Sequence, residues 1–177
     1  LESYSCFVSS SSSFFSFPNP VNDVAARTVA TGVVLMSLAV AGLGWGWILI
    51  PLTYGFLARV ASGPRFSPLG LIATKVVAPR LPQFEKLVPG PPKRFAQAIG
   101  VAFTVTASAL WLAGMPGAAR VVLGFLVLAA GLEAALGFCL GCKVFALLMR
   151  AGVIPEDVCA ECNDISLRIP GLSSSSR

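Results

Sequence analysis

An all-α, polytopic membrane protein is the fold class that three observations predict. Of 177 residues 55% are hydrophobic and only 12% charged, several apolar runs approach the roughly 20 residues a spanning helix needs, and glycine or proline turns separate them. The reading is four transmembrane helices, with a cytoplasmic interfacial helix between spans 2 and 3. Residues 17–165 form the membrane domain. Residues 1–16, rich in Ser and Phe and without the basic start of a signal peptide, read as a disordered or processed tail, and residues 166–177 as a second flexible tail. Cys6 in the first tail reads as incidental.

The first span is predicted over 24–43. Pro18 and Pro20 exclude a helix before it, Asn22 can cap it and Asp23 suits its positive end. The second, over 47–60, follows the glycine-rich turn with Trp45 and Trp47, residues that favour the membrane–water boundary. Pro51 and Gly55 are potential kinks in it. From Ser62 to Phe95 the chain is proline-rich and carries Arg65, Lys75, Arg80, Lys86, Lys93 and Arg94 against the single acid Glu85, a basic loop suited to anionic lipid or, as the second reading, to docking a soluble acidic partner. Within it Ser67 and Pro68 start a short helix, with Leu69, Ile72 and Val76 on one face, that ends near Pro79. The third span is predicted over 96–113. The fourth runs over 118–140, with a cytoplasmic extension to 150. With both termini on one side, that side holds twelve of the thirteen Lys and Arg and only Arg120 lies opposite, so the positive-inside rule places both termini in the cytoplasm.

The chemistry is in the thiols. Cys139 and Cys142 form one Cys-x-x-Cys pair, and Cys159 and Cys162 form a second after sixteen intervening residues. The chain has no His, which excludes Ser-His and Cys-His couples, His-ligated haem and His-bearing metal sites. No phosphate loop or nucleic-acid surface is visible, and membrane orientation accounts for the positive charge. On one continuous fourth helix Cys139 and Cys142 share a face, at the inner headgroup level. Lys143 beside them favours a thiolate while apolar surroundings oppose it. Cys159 falls early in a short helix after Pro155, flanked by Glu156, Asp157, Glu161 and Asp164. Two readings stand. The unlike pairs can exchange electrons or sulfur, as a thiol–disulfide oxidoreductase or sulfur carrier would. Alternatively all four thiols ligate a metal, as structural zinc, an iron–sulfur cluster or a soft-metal transport site. The carrier reading needs no cofactor.

Glu133 is the one carboxylate deep in a predicted span. On a continuous helix it lies about 120° from Cys139 and about 180° from Cys142 at ~100° per residue, off the thiol face. It shares a stripe with Ala130, Gly137 and Gly141 that suits close helix packing. Its expected partner is Arg27, in the first turn of the first span, as a structural ion pair, with a proton relay as the second reading.

Five segments taken together carry a resemblance: Phe17-Pro18-Asn19-Pro20-Val21-Asn22, Gly63-Pro64-Arg65-Phe66-Ser67-Pro68, Pro89-Gly90-Pro91-Pro92-Lys93-Arg94-Phe95-Ala96-Gln97, Gly137-Phe138-Cys139-Leu140-Gly141-Cys142, and Ile154-Pro155-Glu156-Asp157-Val158-Cys159-Ala160-Glu161-Cys162. In these the chain resembles the bacterial domain-of-unknown-function family 4395 over about Phe17 to Ile165. The resemblance implies a small four-helix protein of the bacterial plasma membrane. It also implies a genomic setting among thioredoxin-like proteins and sulfurtransferases, which favours such a protein as the exchange partner. It brings no established activity.

Overall fold

The computed structural model describes residues 21–81, 87–88 and 90–153. Cys6, Cys159, Cys162 and both tails lie outside the described residues. Among the described residues the fold is helical apart from one antiparallel pair of two-residue strands, β1 (Val21–Asn22) and β2 (Leu87–Val88), in which Val21 pairs with Val88 and Asn22 with Leu87. This pair ties the start of the first helix to the chain entering the third long one.

Helix α1 (Asp23–Leu43) begins where the sequence predicts, because Asn22 Oδ1 accepts the N–H groups of Val24 (2.9 Å) and Ala25 (3.4 Å). It ends at Gly44, whose φ of +72° is left-handed. A single 3-10 turn (Gly46–Ile48) leads into α2 (Leu49–Ser62). Pro51 sits in the first turn of α2, where its missing N–H costs nothing, so the helix continues unbroken past it. Next comes α3 (Pro68–Ile72), capped by Ser67 Oγ, which accepts the Gly70 N–H at 3.2 Å. Its helical path continues through a π turn (Ala73–Val77) and a 3-10 turn (Ala78–Arg80), past Pro79. Small residues, Gly70, Ala73 and Ala78, are its buried contacts, while Ile72 and Val76 stay exposed.

Helix α4 (Gly90–Leu112) starts six residues before the predicted third span, because Pro91 and Pro92 fit a helical first turn. After Gly114 the chain enters α5 (Pro116–Leu136). The fourth span is not one helix to residue 150. Gly137, with φ +68°, donates to Glu133 O at 2.9 Å, and Phe138 N–H reaches Leu132 O at 3.2 Å, a Schellman ending. A separate helix α6 (Leu140–Arg150) follows.

Among the described residues three helices are long and apolar enough to cross a membrane: α1, α4 and α5, with mean hydropathy 1.8, 1.6 and 1.9. Helix α2, at 14 residues, is shorter than a hydrocarbon layer of about 30 Å needs at ~1.5 Å per residue. The core lies between α1, α2, α4 and α5 and is built of Val33, Val40, Leu52, Ala107, Leu123 and neighbours. Outward faces carry Val105, Val121, Phe125, Leu128 and Leu136, all exposed. A lipid environment explains that pattern, since an apolar surface of this extent is unstable in water. The helices alternate in direction, so the start of α1, the end of α2, the start of α4 and the end of α5 share one end of the bundle.

Candidate functional site

That shared end gathers the chemistry. Lys93, in the first turn of α4 and 5% exposed, is salt-bridged to Glu133 near the end of α5 and lies 3.6 Å from Asp23 at the start of α1. One ammonium thus holds three helix ends. Arg27 does not pair with Glu133. Its guanidinium donates instead to Ala134 O (3.2 Å) and Ala135 O (2.6 Å), capping the free carbonyls that end α5. The expected partner is replaced because α4 begins early enough to bring Lys93, a residue the sequence places in a loop, inside the bundle. Two prolines at a helix start are the signal that could have found it.

The break at Gly137 changes the thiols most. A continuous helix would hold Glu133 away from Cys139. In the structure α6 packs on α4 instead of continuing α5, and Glu133 and Cys139 line the same cavity of about 280 Å³, together with Phe56, Phe103 and Leu126. Nor do the cysteines share a helix face as equals. Cys139 is the N-cap of α6, in extended conformation, and its Sγ accepts the Cys142 N–H at 3.3 Å. Gly141, between them, packs on α4 so closely that a Cβ there would lie 2.5 Å from Ala96 Cβ and 2.7 Å from its Cα. This contact seats α6 and fixes the cap against the bundle. Phe145 and Met149, buried on Phe95, hold the rest of α6 down.

The two sulfurs are electrostatically unlike. Hydrogen bonding from Cys142 holds the Cys139 thiol below its ordinary range, with the Lys93 charge assisting, against burial and the negative charge of Glu133. The same hydrogen bond and its own burial push the Cys142 thiol up. Lys143 takes no part in this. It is exposed and lies over the Phe138 ring at 5.5 Å. Cys139 is 8% exposed and Cys142 half-buried, and both are free thiols. Among the described residues no three Cys, Asp or Glu side chains are grouped to hold a metal. Cys159 and Cys162, which the tetrathiolate reading requires, lie outside the described residues.

Sequence reasoning missed Arg59. It falls inside the predicted second span, where an ionisable side chain is itself a signal, and the structure buries it at 5% exposure. Its Nε donates to Gln97 Oε1 at 2.8 Å and its Nη1 to Ser67 Oγ at 3.1 Å, and the guanidinium lies 4.6 Å over the Phe56 ring. Gly55 leaves room for it, since a Cβ there would meet Nη1 at 3.2 Å.

No curated protein and no solved structure matches the chain. One family model does, over residues 21–150, which takes in the charged cluster, the Gly137 break and the Cys139–Cys142 cap. The chain therefore belongs to the family described as Domain of unknown function (DUF4395).

Proposed function

We propose that the chain is a membrane thiol carrier whose exchanging sulfur is Cys139 and whose resolving sulfur is Cys142. The carrying observation is the cap: Cys139 Sγ stands at the N-terminus of α6 and accepts the Cys142 N–H, the place in a helix where a thiolate is best stabilised. In the exchange, the Cys139 thiolate attacks one sulfur of a partner disulfide, forming a mixed disulfide and expelling the partner's other sulfur as thiolate. Cys142 then loses its proton and attacks Cys139 Sγ, releasing the partner's remaining sulfur. Two electrons and two protons pass from Cys139 and Cys142 to the partner disulfide, and a Cys139–Cys142 disulfide is left. Sulfur transfer shares the first step, attack of Cys139 on an electrophilic sulfur.

A soluble thioredoxin-like protein or sulfurtransferase fits as the outside partner: it exchanges with Cys159 and Cys162, and their disulfide is then the partner disulfide that Cys139 attacks. In this reading α2 and its 3-10 lead-in, Gly46–Ser62, make the second span, beside α1, α4 and α5 as the other three. Helix α3 lies at the interface, turning Phe66, Ile72 and Val76 toward lipid. Among the described residues only Arg120 carries charge at the opposite end of the bundle, so the positive-inside rule puts the thiol end in the cytoplasm.

The test is iodoacetamide alkylation of the full-length protein in neutral detergent, read by mass spectrometry across pH, with elemental analysis alongside. Because the Cys139 thiol is held low, its thiolate fraction and alkylation rate should rise through a midpoint below the ~8.5 of a free cysteine. Cys142 should stay unmodified at pH values where Cys139 has reacted, and Cys142→Ala should move the Cys139 midpoint upward. One metal ion per chain, with the thiols protected until a chelator is added, would replace the carrier with a tetrathiolate site.

A further inference from the structure

A second cavity, of about 260 Å³, opens beside the thiol cavity and shares Ala26, Val29 and Gln97 with it as a common wall. Its charged lining is Arg59 and Lys93. Arg59 is anomalous there. It is 5% exposed, its Nη2 is buried without a hydrogen-bond partner, and among the described residues no carboxylate lies within ion-pair distance of it. Its contacts are a neutral amide, a hydroxyl and a ring. Glu133 acts on it only from beyond contact. Removing a guanidinium from water without a counter-charge in contact is costly, and leaving one of its donors unpaired adds to the cost. Lys93, on the same wall, is already committed to Glu133 and Asp23.

We infer that this cavity is a binding site for a small oxyanion, held by Arg59 with Gln97 positioning the guanidinium. An anion with two or three oxygens on one centre, such as a carboxylate, phosphate or sulfur oxyanion, satisfies the free Nη2 and supplies the missing charge in one step. The oxygens come either from a free ion or from the headgroup of an anionic lipid, since the cavity lies at one end of the bundle. The site stands on Arg59 and holds whether or not Cys139 exchanges sulfur.

The test uses the full-length protein, with the thermal midpoint as readout, because a ligand that binds only the folded state raises it. Sulfate and inorganic phosphate are titrated in neutral detergent against chloride at matched ionic strength. In parallel, nanodiscs of phosphatidylglycerol are compared with nanodiscs of phosphatidylcholine. A rise with sulfate or phosphate but not chloride assigns a free oxyanion, and a rise only in phosphatidylglycerol assigns a lipid headgroup. Arg59→Lys keeps the charge but loses the fork, so it should weaken the effect at least about tenfold. Gln97→Leu frees the guanidinium from its orienting contact and should weaken the effect too, so the test survives if Arg59→Lys does not fold. No rise in any arm, or an equal rise in wild type and both variants, overturns the site.

Discussion

The two ends of the bundle are held together by different physics. At the thiol end Asp23, Arg27, Arg59, Lys93 and Glu133 are drawn inward: Lys93 pairs with Glu133 and Asp23, Arg27 caps the end of α5, and Arg59 is held by Gln97 and Ser67 with its Nη2 unpaired. At the other end there is shape. A Cβ on Gly46 would lie 2.2 Å from Trp111 Nε1, Trp45 and Trp47 stack at 6.4 Å, and the one charge there among the described residues, Arg120, is exposed. Charge fixes directions and partners, so the first end can hold a thiol, a cation and a cavity at set positions. Shape fixes only distance. The contrast teaches where chemistry can be built in this fold.

The largest expected effect tests the charged end directly. Lys93→Met strands Glu133 and Asp23, whose side chains are 14% and 16% exposed, and should cost about 3 kcal/mol, the usual scale for breaking a buried pair. Thermal unfolding in detergent reads it. The double variant Lys93→Met, Glu133→Gln should recover at least half of the loss, because the uncompensated charge is then gone. Arg120→Gln, at the other end, should stay within about 0.5 kcal/mol of wild type. Equal costs for Lys93→Met and Arg120→Gln would erase the distinction between the ends.

An intermediate effect compares two close approaches of backbone to ring. A Cβ on Gly100 would fall 2.1 Å from Phe56 Cε1, and one on Gly46 the stated 2.2 Å from Trp111. The distances are alike but the neighbours are not. Phe56 is 5% exposed, beneath the Arg59 guanidinium, whereas Trp111 is half-buried and borders a cavity of about 670 Å³. Gly100→Ala should therefore cost about 2 kcal/mol, within the overpacking range, and Gly46→Ala less than about 1 kcal/mol. A reversed order would mean that the tryptophan end is the more rigid of the two.

Much of this architecture is legible in the chain, and the failures share a cause. The apolar runs give the long helices to within a few residues at most ends, and Asn22 and Ser67 are readable caps because capping is local. What escapes is whatever depends on a break within an apolar stretch or on a partner distant in sequence. Gly137 sits in a run of good helix formers and reads as a packing glycine. Only its left-handed φ makes it a terminus, and that turn sets Cys139 on the same cavity as Glu133. Lys93 reads as one of six loop cations until α4 is seen to start before it. Arg59 was readable in principle, since charge inside an apolar span is expensive, but its free Nη2 needs coordinates.

The smallest effect compares the two caps of α1, one at each end of the bundle. Asn22→Ala removes the acceptor for two N–H groups and should cost about 1 kcal/mol, while Asn22→Ser, which keeps an acceptor, should recover most of it. Gly44→Ala meets no atom within 4 Å and is opposed only by its φ of +72°, so its cost of roughly 1 kcal/mol is conformational and no side-chain acceptor will rescue it. The sizes match but the rescue does not. Asn22 also joins β1 to β2 and lines the Arg59 cavity, so an Asn22→Ala loss well above 1 kcal/mol that Asn22→Ser fails to recover would show that residue 22 holds the cavity wall as well as the helix. That result would extend the charged end's network by one residue, and a clean rescue would confine it to the five named above.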